Sequence, residues 1–367
     1  MPLTAGIIGL PNVGKSTLFN AITSSTVIAE NYPFATIEPN TGVVEVNDQR
    51  LKVLTKMFQS AKTIAATFEF KDIAGLVKGA SKGEGLGNQF LANIRETDAI
   101  CHVVRCFDDP DVIHVDGNVN PIRDVETINI ELIMADLESV EKRIARVENK
   151  ARINKEPETV AEYNILKQIQ EVLLKEHPAR SLSFSEAQLA IVRGFHLLTL
   201  KPIIFIANIG EEDLANPENN KYYRQLKEVA KQENAEIVEI CAKVEQDLVS
   251  LNEEEKALFL EELGIKESGL DKVVHAAYNL LGLRTFFTAG PKESRAWTYK
   301  EGMKAPQCAG IIHTDFERGF IKAEIYSYDD LIKYGSEQAV KDNGRFRIEG
   351  KEYVVNDGDI VHFRFNI

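Results

Sequence analysis

Positive charge is in short supply in this chain. Its 43 Lys and Arg residues face 56 Asp and Glu, a formal net charge of −13 over 367 residues. Loose, sequence-independent binding to nucleic acid needs a surplus of cations, so that mode is excluded and any RNA partner has to be held at a local site. No DNA specificity is evident either. Cysteine is scarce as well. Cys101, Cys106, Cys241 and Cys308 form no C-x-x-C pair and are too few for a disulfide framework, which points to free thiols in a reducing compartment. No run approaches the roughly 18 apolar residues of a membrane span. The opening Met-Pro-Leu-Thr-Ala-Gly-Ile-Ile-Gly-Leu has no basic segment ahead of its apolar stretch. The expectation is a cytoplasmic protein with no membrane segment. Internal repeats and low-complexity tracts are missing too. What remains, 44% hydrophobic and 27% charged, is the balance of a globular chain long enough for two or three domains.

Leu3 to Ile8 reads as a short buried strand, broken at Gly9-Leu10-Pro11-Asn12 and followed by a helix from about Lys15 to Ile22. Further strands are expected at Gly42–Val46, Thr67–Lys71, Ile100–Arg105, Ile203–Ala207 and Glu236–Ile240, with helical patterns at Leu86–Glu96 and Lys221–Gln232 between them. That alternation predicts an α/β fold, a doubly wound and mostly parallel sheet with helices on both faces. The alternation is interrupted over 126–200. Ile130, Ile133, Leu137, Val140, Ile144, Val147 and Ala151 form a heptad seam, and after Pro157 a second pattern carries Tyr163, Leu166, Ile169 and Leu173. Two such stretches joined through a Pro turn predict an antiparallel hairpin within one chain, hence a monomer with a helical arm. Ser185 and Gln188 make a capping box for a third helix. The nucleotide-binding domain is therefore drawn as 1–282 with this insertion, and 283–367 as a small mixed module. In the latter, strands are expected at Cys308–Ile312, Gly319–Ile325, Phe346–Ile348 and Val361–Phe365, with turn signals at Asp342-Asn343-Gly344 and Asn356-Asp357-Gly358.

Chemistry concentrates near the start. Gly9-Leu10-Pro11-Asn12-Val13-Gly14-Lys15-Ser16-Thr17 matches G-x-x-x-x-G-K-[ST] between a strand and a helix. The glycines let successive N–H groups turn toward one phosphate and the helix N-terminus adds its positive end. Lys15 reaches the β/γ oxygens and Ser16 offers a hydroxyl to Mg²⁺. Asp72-Ile73-Ala74-Gly75 follows a strand, where Asp72 can hold Mg²⁺ and the Gly75 N–H can meet a γ-phosphate. Gly79, Gly83, Gly85 and Gly87 behind it suit a loop ordered by that phosphate. Thr36, between the first helix and the second strand, lies where a switch threonine reaches the metal. These features predict a P-loop nucleotide hydrolase of the switch class.

A guanine-specific switch ends the corresponding strand in N-K-x-D, with the Asp accepting from guanine N1–H and its amine. Here the strand ends in Asn208-Ile209-Gly210-Glu211, without the Lys and with a longer carboxylate. Adenine offers an acceptor at N1 and no amine at C2, so a carboxylate aimed there repels it. Glu211 can swing away, leaving the backbone near Ile209 and the Asn208 amide to read adenine. Cys241-Ala242-Lys243 follows the last strand as the loop behind the base. Taken together, Gly9–Thr17, Tyr32–Asn40, Asp72–Glu96 and Asn208–Glu211 resemble the YchF/Obg-like ATPase family, and the likeness runs over essentially the whole chain. It implies an Obg-type nucleotide domain, an inserted coiled-coil arm and a C-terminal TGS module of β-grasp fold. It also implies ATPase activity with Mg²⁺, and association with the large ribosomal subunit and with RNA. Cys241 stands where that family's loop more often has Ser.

A switch GTPase carries a Gln after D-x-x-G to orient the attacking water. Here the position is Leu76, so another group has to do this. His114, in the polar loop 107–124 at the C-terminal edge of the sheet, is the candidate, and the family resemblance points to it too. Asn12 resembles the Asn of cation-assisted P-loop hydrolases, where K⁺ beside the phosphates replaces an arginine finger; as a residue after Pro11 it also suits a turn. Three readings stand: an ATPase switch on the ribosome, a GTPase of the Obg class, and a binding module with incidental hydrolysis. A small-molecule kinase is the weakest, since no acceptor-activating base is present.

Overall fold

Strands that are apolar at every position need cover on both faces, which favours a parallel sheet between helical layers. The computed structural model describes residues 3–24, 40–73, 86–115, 117–153 and 156–366. Its strands are β1 (Thr4–Ile8), β2 (Thr41–Val46), β3 (Thr63–Ile64), β4 (Ala66–Asp72), β5 (Ala99–Arg105), β6 (Ile203–Asn208) and β7 (Glu236–Ile240), then β8 (Leu283–Ala289), β9 (Ser294–Lys300), β10 (Phe320–Ser327), β11 (Arg347–Glu349) and β12 (Asp359–Phe365). The helices used below are α1 (Lys15–Ser24), α2 (Gln49–Phe58), α3 (Leu86–Arg95), α4 (Pro121–Ile153), α5 (Pro157–Leu174), α6 (Glu186–Arg193), α7 (Lys221–Gln232) and α8 (Ala242–Val249). One sheet runs β2-β4-β1-β5-β6-β7. In it β1 pairs parallel with β4 and β5, β5 with β6, and β6 with β7. β1, β5 and β6 are buried at every residue, as the expected α/β fold requires.

Two compact units divide the chain. The first takes in Glu69–Ala277 with β1 and α1. The second joins Val43–Phe68, a segment read from the sequence as part of the nucleotide domain, to Tyr278–Ile367. The reason is local to that unit: β3 pairs with β9, and Arg50 on α2 reaches Asp357 at 2.6 Å. Its sheet runs β11-β10-β12-β8-β9-β3, mixed in direction. Cys308–Ile312, expected as a strand, is instead the end of a helix, Ala305–Ile312, whose buried face packs on Phe286, Ala323 and Phe363. Pro306 in its first turn and the bond from Lys304 N–H to Gln307 Oε1 (2.8 Å) start that helix, signals that outweigh a short apolar run. A helix across a mixed sheet fits the β-grasp expectation. Asn343 caps the helix Glu337–Asp342, so that turn signal closes a helix.

The arm leaves the first unit between the neighbouring strands β5 and β6. Ile133, Val140 and Ile144 of α4 pack on Ile165, Leu166, Ile169 and Leu173 of α5, with Leu137, Val147 and Tyr163 partly buried beside them. The Ser185–Gln188 capping box is present on α6. Ile130 departs from the expected seam: it is 47% exposed. At the root, α4 turns Val125, Ile128 and Leu132 inward instead, and Ile130 lies off that face.

Two polar nodes fix the root, the first buried and the second half-buried. The Asp136 carboxylate accepts from the backbone N–H groups of Leu198 (2.9 Å) and Thr199 (2.7 Å) and from the Thr199 hydroxyl (2.6 Å). Burial nevertheless pushes the Asp136 carboxyl up from its ordinary range. Glu233, after α7, accepts from Arg180 Nη2 (2.5 Å) and Asn129 Nδ2 (2.7 Å). Among the described residues no helix is long and apolar enough to cross a membrane. Asp136→Ala strands two buried N–H groups and is expected to cost about 3 kcal/mol. Urea unfolding measures it, and an unchanged midpoint would remove Asp136 from the list of root anchors.

Candidate nucleotide site

β1 ends at Ile8 and α1 starts at Lys15, so the Gly9–Ser16 segment turns at the C-terminal edge of the parallel sheet, where open α/β folds bind ligands. Asn12 (φ 62°) and Gly14 (φ 93°) both take left-handed backbone, which curls the segment. At Gly14 nothing larger fits: a Cβ would lie 2.2 Å from Asn208 Nδ2. Val13 is fully buried, Thr17 half-buried, and Ser16 exposed in the first turn of α1. The Lys15 ammonium is drawn to the end of β4, with Nζ 2.5 Å from Asp72 Oδ1. Asp72 is itself held by its N–H, which donates to Asn40 O (2.8 Å). Thr36, Gly75 and Leu76 lie outside the described residues.

At the neighbouring strand ends, Asn208 is buried and fully engaged. Its Nδ2 donates to Val13 O (2.9 Å) and its Oδ1 accepts from Ala242 N–H (3.0 Å). Its backbone carbonyl accepts from Cys106 N–H, and Ile209 N–H donates to Ile240 O, both at 2.8 Å. This amends the adenine-reading scheme: the Ile209 N–H and most of the Asn208 amide are spent on the scaffold. The Ile209 carbonyl and the second amide hydrogen of Asn208 are outside these bonds. Glu211 opens a short 3₁₀ turn and is exposed, so its carboxylate is not fixed against a base. Cys241 precedes α8 at the N-cap, where burial pushes its thiol up.

The loop after β5 is built on Arg105, a fully buried cation. Its guanidinium donates to the carbonyls of Phe107 (3.1 Å), Val112 (2.9 Å) and Asp109 (3.1 Å) and stacks on the Phe107 ring at 4.6 Å. The loop then meets the P-loop, where Asn12 Nδ2 donates to Ile113 O (3.1 Å). His114 is thus next in sequence to a residue bonded to the phosphate loop. Its imidazole, however, is turned into the fold, 7% exposed, with Nε2 at 2.9 Å from Asp124 Oδ2. Asp124 and Arg105 were both missed by the sequence reading. Arg105 had one signal, a charge closing a strand that is apolar but for His102; Asp124, among many acids at a helix start, had none.

Comparison with known proteins now decides the family. A family model described as 50S ribosome-binding GTPase matches residues 4–162, and another, YchF-GTPase_C, described as a protein of unknown function (DUF933), matches 283–366. The Ribosome-binding ATPase YchF of Bacillus subtilis (strain 168) is 58% identical, and that of Escherichia coli O157:H7 51%, each with 100% of both chains covered. The chain belongs to the YchF family. The solved structure of the Schizosaccharomyces pombe YchF GTPase is 39% identical, with a TM-score of 0.88 over 99% of this chain and 97% of that one. Membership in the YchF family thus covers the P-loop, the arm and the C-terminal module together.

Proposed function

We propose that this chain is a ribosome-binding ATPase that works as a nucleotide-dependent switch. The observation that carries the reading is the convergence at one sheet edge of Lys15 on Asp72 with the Asn208 amide bonded to the P-loop and to the start of α8. Relatives identical at 58% and 51% over their whole length bear the name ribosome-binding ATPase, and this supports it. The N–H groups of the P-loop and of the first turn of α1 bind phosphate oxygens, and Lys15 exchanges Asp72 for the β/γ oxygens. The Ser16 hydroxyl and the Asp72 carboxylate are hard oxygen donors of the kind Mg²⁺ would take beside nucleotide phosphates; as read from the sequence, Thr36 completes that set and the Gly75 N–H meets the γ-phosphate. Held by these residues, Mg²⁺ would supply positive charge to offset that of the nucleotide phosphates. The same reading has the chain working as a cytoplasmic monomer on the large subunit, with RNA held at local sites; the 50S wording of the family model supports the subunit. The module 283–367 is proposed as a TGS domain, and the second family match, beginning at residue 283, supports that boundary.

Base choice follows from Asn208-x-x-Glu211. With Glu211 exposed, its carboxylate is not held where guanine's donors would need it, and ATP is expected to bind at least about tenfold more tightly than GTP, or ~1.4 kcal/mol. Calorimetry on the purified protein with both nucleotides checks this. Equal affinities would favour the second reading, GTP as substrate, in keeping with the GTPase names of the matching family and of the S. pombe protein.

Asn12 is proposed to hold K⁺ beside the phosphates through Oδ1, the atom its bond to Ile113 leaves out. Replacing Na⁺ with K⁺ should then raise ATP turnover, and Asn12→Ala should blunt the rise. A rate indifferent to the ion would leave Asn12 as a turn residue.

His114 is proposed to orient the attacking water, because Leu76 cannot. The bond between Ile113 and Asn12 keeps its loop at the P-loop, and the imidazole is proposed to swing out of its pocket toward that loop when ATP binds. His114→Ala is expected to lower kcat by a factor of about ten to a thousand while ATP affinity holds. Single-turnover hydrolysis beside a binding titration gives both numbers. Loss of affinity equal to the loss of rate would make it a binding residue.

A further inference from the structure

The His114 imidazole makes a short contact with the arm. Asp124, its partner at 2.9 Å, lies in the first turn of α4, the 33-residue helix that runs unbroken from Pro121 to the tip. Both groups are almost fully buried, Asp124 at 2% exposure, while Ile113 and Val115 on either side of the histidine are 79% and 57% exposed. The loop thus turns the two aliphatic side chains that flank the histidine outward and its imidazole inward, against the usual preference of each. Only a bond of some strength sustains that inversion. The Asp124 carboxylate supplies it, and its other oxygen accepts from Arg123 Nε (3.3 Å) and Nη2 (3.1 Å). Arg123 in turn donates to Asn118 Oδ1 (2.8 Å) and to Asn118 O (2.6 Å), so the start of α4 and the end of the loop are clasped.

We propose that Asp124 is a positioning residue that holds His114 withdrawn from the nucleotide, so that the seating of the arm's first helix sets the fraction of molecules able to hydrolyse. This deepens the assignment of His114 made above and rests on it. Withdrawal and engagement are two positions of one ring. In the first, the ring bonds to a buried anion on α4; in the second, the same nitrogen is available to a water beside the γ-phosphate. Turnover then equals the rate of the engaged form times its population, and any shift of the α4 root that lengthens the bond to Asp124 raises that population. The loop's anchors stay where they are in both positions: Arg105 on three carbonyls and Asn12 on Ile113. Only the side chain and its immediate backbone need to move.

Asp124→Asn keeps the shape and replaces a charge-assisted bond by a neutral one of about half the strength, so basal ATP turnover is expected to rise about three- to tenfold with ATP affinity unchanged. His114→Ala combined with Asp124→Asn is expected to be no faster than His114→Ala alone, which a merely structural role for Asp124 would not produce. A folded Asp124→Asn protein with unchanged or slower turnover overturns the proposal. Should that variant fail to fold, the wild-type protein still decides. With no nucleotide added, diethyl pyrocarbonate should modify His114 at least about tenfold more slowly than the exposed His313, since only the engaged fraction reacts. Equal rates at the two histidines overturn the latch. The two levels fail separately: unchanged kcat in His114→Ala removes the water-orienting role. A slow His114→Ala with a slow Asp124→Asn removes only the latch.

Discussion

The amide of Asn208 is the joint on which the site depends. One side chain, buried at the end of β6, donates to the carbonyl of Val13 in the P-loop and accepts from the first N–H of α8. Through its backbone it also receives Cys106 N–H from the end of β5. Three chain segments far apart in sequence, the phosphate loop, the base loop and the start of the His114 loop, are thereby set at fixed distances from one another. Gly14 has no side chain for this reason as much as for phosphate: the space a Cβ would fill is taken by that amide. A buried amide with its bonds made is worth more as a locator than as a free recognition group, because leaving either partner unpaired costs on the order of 1–3 kcal/mol.

The ion pair of Lys15 with Asp72 has a similar double nature. It brings the P-loop to the end of β4 and keeps two groups of opposite charge ready for a ligand that carries both signs, phosphates for the lysine and a metal ion for the carboxylate. Farther out, the arm is rooted by carboxylates, the buried Asp136 on the exit segment and the half-buried Glu233 on Arg180, rather than by apolar packing alone. Directional bonds of this kind define an angle, and a helix of 33 residues, about 50 Å long, magnifies any change in that angle at its tip. Asp124 stands at the short end of the same lever.

Much of this was legible from residues alone where the physics is local. The run Gly9–Ser16 has its meaning from glycine conformations and a helix N-terminus, both properties of a few consecutive residues. The strands β1, β5 and β6 announced themselves as short, mostly apolar runs, α4 and α5 as a heptad pattern, and α6 by its cap. The expected strand at Cys308–Ile312 failed because five apolar residues fit either periodicity, and a Pro and a Gln upstream had the deciding voice. Ile130 failed because the heptad rule knows the partner helix and not the sheet that the root packs on.

What the sequence by itself determined, then, is the list of chemical groups and the local backbone that presents them: Lys15, Ser16 and Asp72 for phosphate and metal, Asn208 and Glu211 at the base loop, and His114 on a polar loop. Tertiary structure decided what each of those groups is bonded to. Only the fold could set Asn208 on Val13 rather than on a base, and His114 on Asp124, because hydrogen bonds between residues 195 or 10 positions apart depend on where strands and helices bring chain ends together. Side-chain type sets what a residue can do; the partner that the packing gives it sets whether it is free to do so.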